Sequence, residues 1–182
     1  MNKFIVVSAP SGTGKNTIIN RLIAERTDLA HSVSTTTRSP REGERHGKEY
    51  YFMAKPKFLG MVENDEFVEH AQILENFYGT SKAEIERIQS QGRIPILDID
   101  VQGMLKMKAN NIPMCSVFIM PPSLSELRHR LNQRGTEEME EIARRLELAK
   151  KEIEQKHHYD FNLVNDRLDK VLQSFHQIID EL

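Results

Sequence analysis

Cysteine is almost missing from this chain. Its 182 residues hold one, Cys115, which excludes an internal disulfide and suits a reducing compartment such as the cytoplasm. Cys115 itself is expected as a small buried strand residue. An excess of charge of one sign is also missing. Lys and Arg number 25 against 27 Asp and Glu, for a net charge of −2. That balance lacks the basic footprint of a nucleic-acid or membrane-surface binder, so neither partner is expected. No long apolar run precedes the first strand pattern. A signal peptide or spanning helix is therefore not expected, and the chain should stay where it is made. Repeats and low-complexity tracts are absent, and nothing in the pattern specifies an oligomeric state. What remains is a charge-balanced chain, 38% hydrophobic, long enough for one domain with small insertions.

The rest is organised around Ala9 to Thr17, APSGTGKNT. This stretch follows apolar Phe4-Ile5-Val6-Val7 and leads into a helical pattern with Ile18, Ile19, Leu22 and Ile23. Strand, glycine-rich turn, lysine and helix make the layout of a phosphate-binding loop. Gly12 and Gly14 permit a tight turn whose successive N–H groups point at an anion. The helix starting near Lys15 aims its positive end at the same place, and Lys15 reaches the outer phosphates as a point charge. Ala9, Pro10, Ser11, Gly12, Thr13, Gly14, Lys15, Asn16 and Thr17 are thus the candidate triphosphate-binding residues. The strict motif has glycine where Ala9 stands and serine or threonine where Asn16 stands.

Three apolar strands, Phe4 to Val7, Ile94 to Asp100 and Cys115 to Met120, alternate with helical patterns. That alternation predicts an α/β fold: a central parallel sheet covered on both faces, with Phe161 to Val164 added to it. Asp28 to His31 reads as a connection. Ser81 with Glu84 and Ser123 with Glu126 are capping boxes that open helices, and Gly92 stands where a C-cap glycine belongs. From about 34 to 80 the strands are short and polar, which marks a small mixed insert. Gln133 to Lys156 forms a charged helical arm, a candidate mobile lid.

Other residues carry chemical information beyond the loop. Asp98 and Asp100 end a strand two residues apart, which puts both on one face. Carboxylates at that strand end, beside a phosphate loop, suit hydrated Mg²⁺, although solvated acids would have the same spacing. Ser34, Arg38 and Arg41, with Tyr50 and Tyr78 further on, would suit a monophosphate if they converge; a solvated basic loop fits the spacing equally. Glu69 could accept from guanine N1–H and N2–H, and Thr80 could donate to O6. Taken alone, Glu69 reads as a surface acid. Arg134, Arg144 and Arg145 lie in the lid segment, where arginines can stabilise charge on a transferred phosphoryl group.

Together the segments APSGTGKNT, SVSTTTRSPREGERHGKEYYF (Ser32 to Phe52), FVEHAQ (Phe67 to Gln72), YGTS (Tyr78 to Ser81), LDIDVQG (Leu97 to Gly103), RGTE (Arg134 to Glu137) and LVNDRLDK (Leu163 to Lys170) resemble the guanylate kinase family over nearly the whole length. The resemblance implies a three-layer P-loop kinase core formed by residues 1–33, 81–132 and 157–182. It also implies a GMP-binding subdomain at about 34–80 and a lid at about 133–156. The implied activity is transfer of the γ-phosphoryl group of ATP to GMP or dGMP with Mg²⁺, giving ADP and GDP in the first case. By match to the family's motifs, Ser34, Glu69 and Thr80 would read guanine, and Arg38, Arg41, Tyr50 and Tyr78 would hold the GMP phosphate. Asp98 and Asp100 would serve Mg²⁺ and guanine between them, with Asn16 a further metal contact. Arg134 and Arg145 would meet the ATP phosphates, and Asn165 would lie near the adenine. Lys15, Arg38, Arg134 and Arg145 are the expected catalytic residues. A non-catalytic interaction module binding phosphorylated peptides, and a kinase acting on a phosphorylated sugar, are the alternatives to this activity.

Overall fold

The computed structural model describes residues 4–133 and 139–182. Along the chain run β1 (Ile5–Ser8), α1 (Lys15–Glu25), β2 (Leu29–His31), β3 (Thr35–Thr36), β4 (Tyr51–Phe52), α2 (Lys55–Glu63), β5 (Phe67–Ile73), β6 (Asn76–Ser81) and α3 (Lys82–Gln89). Then follow β7 (Ile94–Asp98), α4 (Val101–Ala109), β8 (Cys115–Met120), α5 (Leu124–Gln133), α6 (Met139–Glu154), a 3-10 turn, β9 (Phe161–Val164) and α7 (Leu168–Asp180).

Strands β2-β7-β1-β8-β9 form a five-stranded sheet in that order, and every pair in it is parallel. The central run is apolar on both sides because both sides are covered. Ile5 and Val7 pack with Ile18, Ile19 and Leu22 of α1 and with Val171 and Phe175 of α7. Phe4 and Val6 pack with Ile85 of α3 and Met104 and Met107 of α4. Period-two alternation thus sends successive β1 side chains into two different helix layers, and the three-layer α/β core is as expected.

Two details of the sequence reading change. Asp28 to His31 is not a bare connection: Leu29 pairs with Ile94 in edge strand β2, a run too short to show a period. The strand drawn to Asp100 ends at Asp98. Asp100 instead caps α4, its side chain accepting the Gly103 N–H at 2.7 Å. A short acid after an apolar run serves equally as strand end or N-cap, and here the orphan N–H groups of α4 decide it.

The second sheet has the order β4-β3-β6-β5. β5 and β6 form an antiparallel hairpin with a bulge between Phe67 and Glu69, β3 pairs antiparallel with β6, and β3 with β4 is parallel. α2 seats Phe58 against Phe67, ring centroids 4.4 Å apart. Both predicted caps form, the Ser81 and Ser123 hydroxyls accepting from Glu84 N–H and Glu126 N–H at 3.2 and 3.1 Å. α6 folds back on α5 through Leu127, Leu131, Ile142, Leu146 and Ala149. Among the described residues no helix is long and apolar enough to cross a membrane.

Candidate active site

The phosphate loop joins β1 to α1. Gly12 and Gly14 have φ of 89° and 97°, a region that an L side chain enters only at a cost. The loop is braced from beneath. Thr13 N–H donates to Pro10 carbonyl at 3.1 Å, and Asn165 Nδ2 donates to Thr13 carbonyl at 2.7 Å. Ala9, Pro10, Ser11, Gly12, Gly14, Lys15, Asn16 and Thr17 line one cavity of about 360 Å³ with Asp98 and Glu152. Buried Thr13 stands behind it. Across the cavity floor Lys15 pairs with Asp98. Arg145 of α6 reaches over and donates to Ser11 Oγ at 3.1 Å.

A second cavity, about 340 Å³, lies between the two sheets and includes Ser34, Tyr50, Glu69, Tyr78, Asp98 and Asp100 in its lining. Thr80 is buried behind it and donates from Oγ1 to Glu69 Oε1 at 2.9 Å. Burial pushes the Glu69 carboxyl above its ordinary range; the Thr80 bond opposes this and the Asp100 charge adds to it. Tyr50 and Tyr78 meet edge to face at 6.1 Å. Burial, then Tyr78, raises the Tyr50 phenol, so it stays a hydroxyl donor. Arg38 lies 5.4 Å from the Tyr50 ring centroid, its guanidinium donating to Glu44 Oε1 at 2.8 Å. Neither arginine is part of the cavity lining: Arg38 stands beside Tyr50, whereas Arg41 is exposed, its backbone N–H donating to Glu44 Oε2 at 2.7 Å. Arg134 lies outside the described residues.

A phosphate loop and a second polar cavity meet at one carboxylate, Asp98, which leaves room for two ligands side by side. A family model described as guanylate kinase matches residues 1–182. The chain belongs to the guanylate kinase family. It is accordingly a kinase, a phosphoryl transferase. A guanylate kinase from Porphyromonas gingivalis is 44% identical over 171 residues, covering 92% of this chain and 91% of that one. The guanylate kinase of Sus scrofa is 39% identical over 181 residues, covering 97% and 91%. The crystal structure of guanylate kinase from Anaplasma phagocytophilum aligns with a TM-score of 0.72 at 34% identity, covering 98% of this chain and 84% of that one.

Two residues beside this candidate site are not among those the sequence suggests. Glu152 stands two helical turns past Arg145, on the same face of α6, and lines the loop cavity. Burial, reinforced by Asp100 and opposed by Lys15, pushes its carboxyl up to about 7. Its spacing from Arg145 was a usable signal. Arg130 of α5 donates to the carbonyls of Thr13 and Asn165 at 3.3 and 3.2 Å, tying the loop to the strand end that carries Asn165. Nothing local to Arg130 announces that task.

The oxygen donors near the loop fit a magnesium ion. Asp98, Glu152, the Asn16 amide and the Thr17 hydroxyl are all hard ligands on one cavity. Among the described residues no group of three His, Cys, Asp or Glu is arranged to hold a metal. An ion that keeps waters and takes phosphate oxygens needs no such group.

Proposed function

We propose that this kinase transfers the γ-phosphoryl group of ATP to GMP or dGMP. The observation that carries the reading is Asp98, which lines both the loop cavity and the cavity between the sheets. Donor and acceptor phosphates would thus be neighbours with Asp98 beside both, and that adjacency is what an in-line transfer requires. The loop N–H groups, Lys15 and Arg145 are assigned to the ATP phosphates, with Arg134 beside them by family resemblance. Arg38, Tyr50 and Tyr78 are assigned to the GMP phosphate. Arg41 would have to swing in from its exposed position to join them. Glu69, with Thr80 behind it, Ser34 and Asp100 are assigned to guanine. Asn165 is assigned to the support of the loop, on the strength of its bond to Thr13.

The acceptor phosphate is already anionic near neutral pH, so the chain's task is positioning and charge stabilisation rather than proton removal. Asp98 with Asn16 or Thr17 would hold Mg²⁺, which supplies neutralisation of phosphate charge when bound. With Asp100 capping α4 on the acceptor side, the metal role falls to Asp98. Residues of the 34–80 insert and the 133–156 arm are proposed to close over the substrates, since an open site would spend ATP on water. The substrates and the single thiol suit the cytoplasm.

ADP release measured with GMP, dGMP, AMP, CMP and UMP as acceptors tests the reading. GMP should be favoured over AMP by about 10⁴-fold in kcat/KM, as expected of a site built to hydrogen-bond its base. Glu69→Ala should shrink that ratio. Equal use of AMP and GMP would sink the guanine assignment, and no turnover of any acceptor by the folded protein would favour the interaction module.

A further inference from the structure

Glu84 sits in the first turn of α3, where a capping-box glutamate returns its carboxylate to its own helix start. This one turns away. Its side chain is 1% exposed, yet it belongs to neither substrate cavity. Oε1 accepts from Val33 N–H at 3.0 Å and from Arg87 Nη2 at 2.9 Å. Oε2 accepts from the Tyr51 hydroxyl at 3.1 Å and from Arg87 Nε at 2.8 Å. Four donors on two oxygens leave the carboxylate well satisfied. Burial pushes it up, but Arg87, the Val33 N–H and the Tyr51 hydroxyl outweigh that and hold it below the usual carboxylate range.

Its partners lie where the two sheets join. Val33 is in the passage from β2 of the parallel sheet to β3 of the second sheet, and Tyr51 is in β4. Tyr51 N–H also donates to Ser34 carbonyl at 2.8 Å. Ser34 follows Val33 and Tyr50 precedes Tyr51, and both line the cavity assigned to GMP. A core helix therefore grips, with one carboxylate, the immediate neighbours of two acceptor-site residues. A partner 51 residues distant and a bidentate arginine serve no need of the helix cap.

We propose that Glu84 is a positioning residue for the acceptor substrate, holding Ser34 and Tyr50 in register with the phosphate loop through Val33 N–H and the Tyr51 hydroxyl. This rests on the reading of the second cavity as the GMP site. Arg87 completes the device by fixing the carboxylate and neutralising its charge. None of Val33, Tyr51, Glu84 and Arg87 lines the donor cavity, so the effect should fall mainly on the acceptor substrate.

Steady-state kinetics of the full chain with ATP and GMP, for the parent and for Glu84→Gln, Glu84→Asp and Tyr51→Phe, tests it. Glu84→Gln keeps the shape but offers an amide to donors it cannot all accept. Tyr51→Phe removes a single hydroxyl outside both substrate cavities, so it remains informative if Glu84→Gln does not fold. Expected for both is a KM for GMP raised about tenfold or more, with KM for ATP and ATP affinity within about twofold of the parent. Glu84→Asp should recover part of the loss. The rise in the double variant should be smaller than the product of the two single rises, since Tyr51 acts through Glu84. An unchanged KM for GMP in folded Glu84→Gln or Tyr51→Phe overturns the proposal, as does an equal rise in both KM values. A parent without GMP turnover sinks the function reading itself and this proposal with it, an outcome visible before any variant is made.

Discussion

Glu152→Gln should make the protein more stable at neutral and alkaline pH, and no more stable in acid. The Glu152 carboxyl stands at about 7 in the folded chain against an ordinary 4.5, with burial the main cause. Between those values the folded chain holds a proton that the unfolded chain has lost. Stability therefore falls as pH rises through the window, and the loss is complete above about pH 7. The difference of 2.5, taken as 7 less 4.5, corresponds to about 3.4 kcal/mol for a fully shielded group. Glu152 is only partly buried, and solvent screening reduces this to ~1–2 kcal/mol. Glutamine keeps the shape and cannot ionise. Urea unfolding of both proteins without nucleotide or metal, at intervals from about pH 5 to about pH 8, reads the difference directly. The variant's advantage should grow by ~1–2 kcal/mol across that range. A difference that stays flat with pH would refute the argument.

Lys15→Met should leave the fold intact and cut kcat at least about a hundredfold, since one positioned charge can be worth ~3 kcal/mol of barrier; near-normal turnover in the folded variant would remove the loop from the mechanism. Gly14→Ala places a methyl 2.8 Å from Asn165 Nδ2 at a φ of 97°. A cost of about 1–3 kcal/mol in urea unfolding, with weakened ATP binding by calorimetry, is expected, and parent-like values for both would show that the loop relaxes freely. Asn16→Ser should change kcat by less than about tenfold, or ~1.4 kcal/mol, and lower the magnesium concentration for half-maximal rate. A hundredfold gain at saturating magnesium would mean that asparagine cripples the site.

The phosphate loop was legible because its causes are local: two glycines, a lysine and the flanking elements lie within a few residues. The central strands were legible because burial on both faces demands an unbroken apolar run. β2 was not, since three residues show no period and owe their conformation to pairing with β7. Asp100 was misplaced because an acid suits a strand end and a helix cap alike, and only the Gly103 N–H distinguishes them. Arg38 and Arg41 look equivalent in sequence, yet one stands beside Tyr50 and the other is exposed. Ser81 and Glu84 announced a helix start correctly, while the use of the Glu84 carboxylate depended on strands that the cap pattern cannot see. Glu152 had the right spacing from Arg145, but which face of α6 meets the loop is a matter of its packing on α5.

An arginine already holding a carboxylate makes a poor trap for stray anions. The Arg38 guanidinium and the Glu44 carboxylate are paired at 2.8 Å with both side chains largely shielded. A phosphate arriving there exchanges one charge-assisted bond for another of similar strength. Inorganic phosphate, or the tail of a nucleotide with the wrong base, would gain little from the swap. On the proposed assignment, only a ligand that also seats its purine edge against Glu69 gains enough to complete it. Recognition then works as a two-key lock, in which neither the charged end nor the base is sufficient by itself.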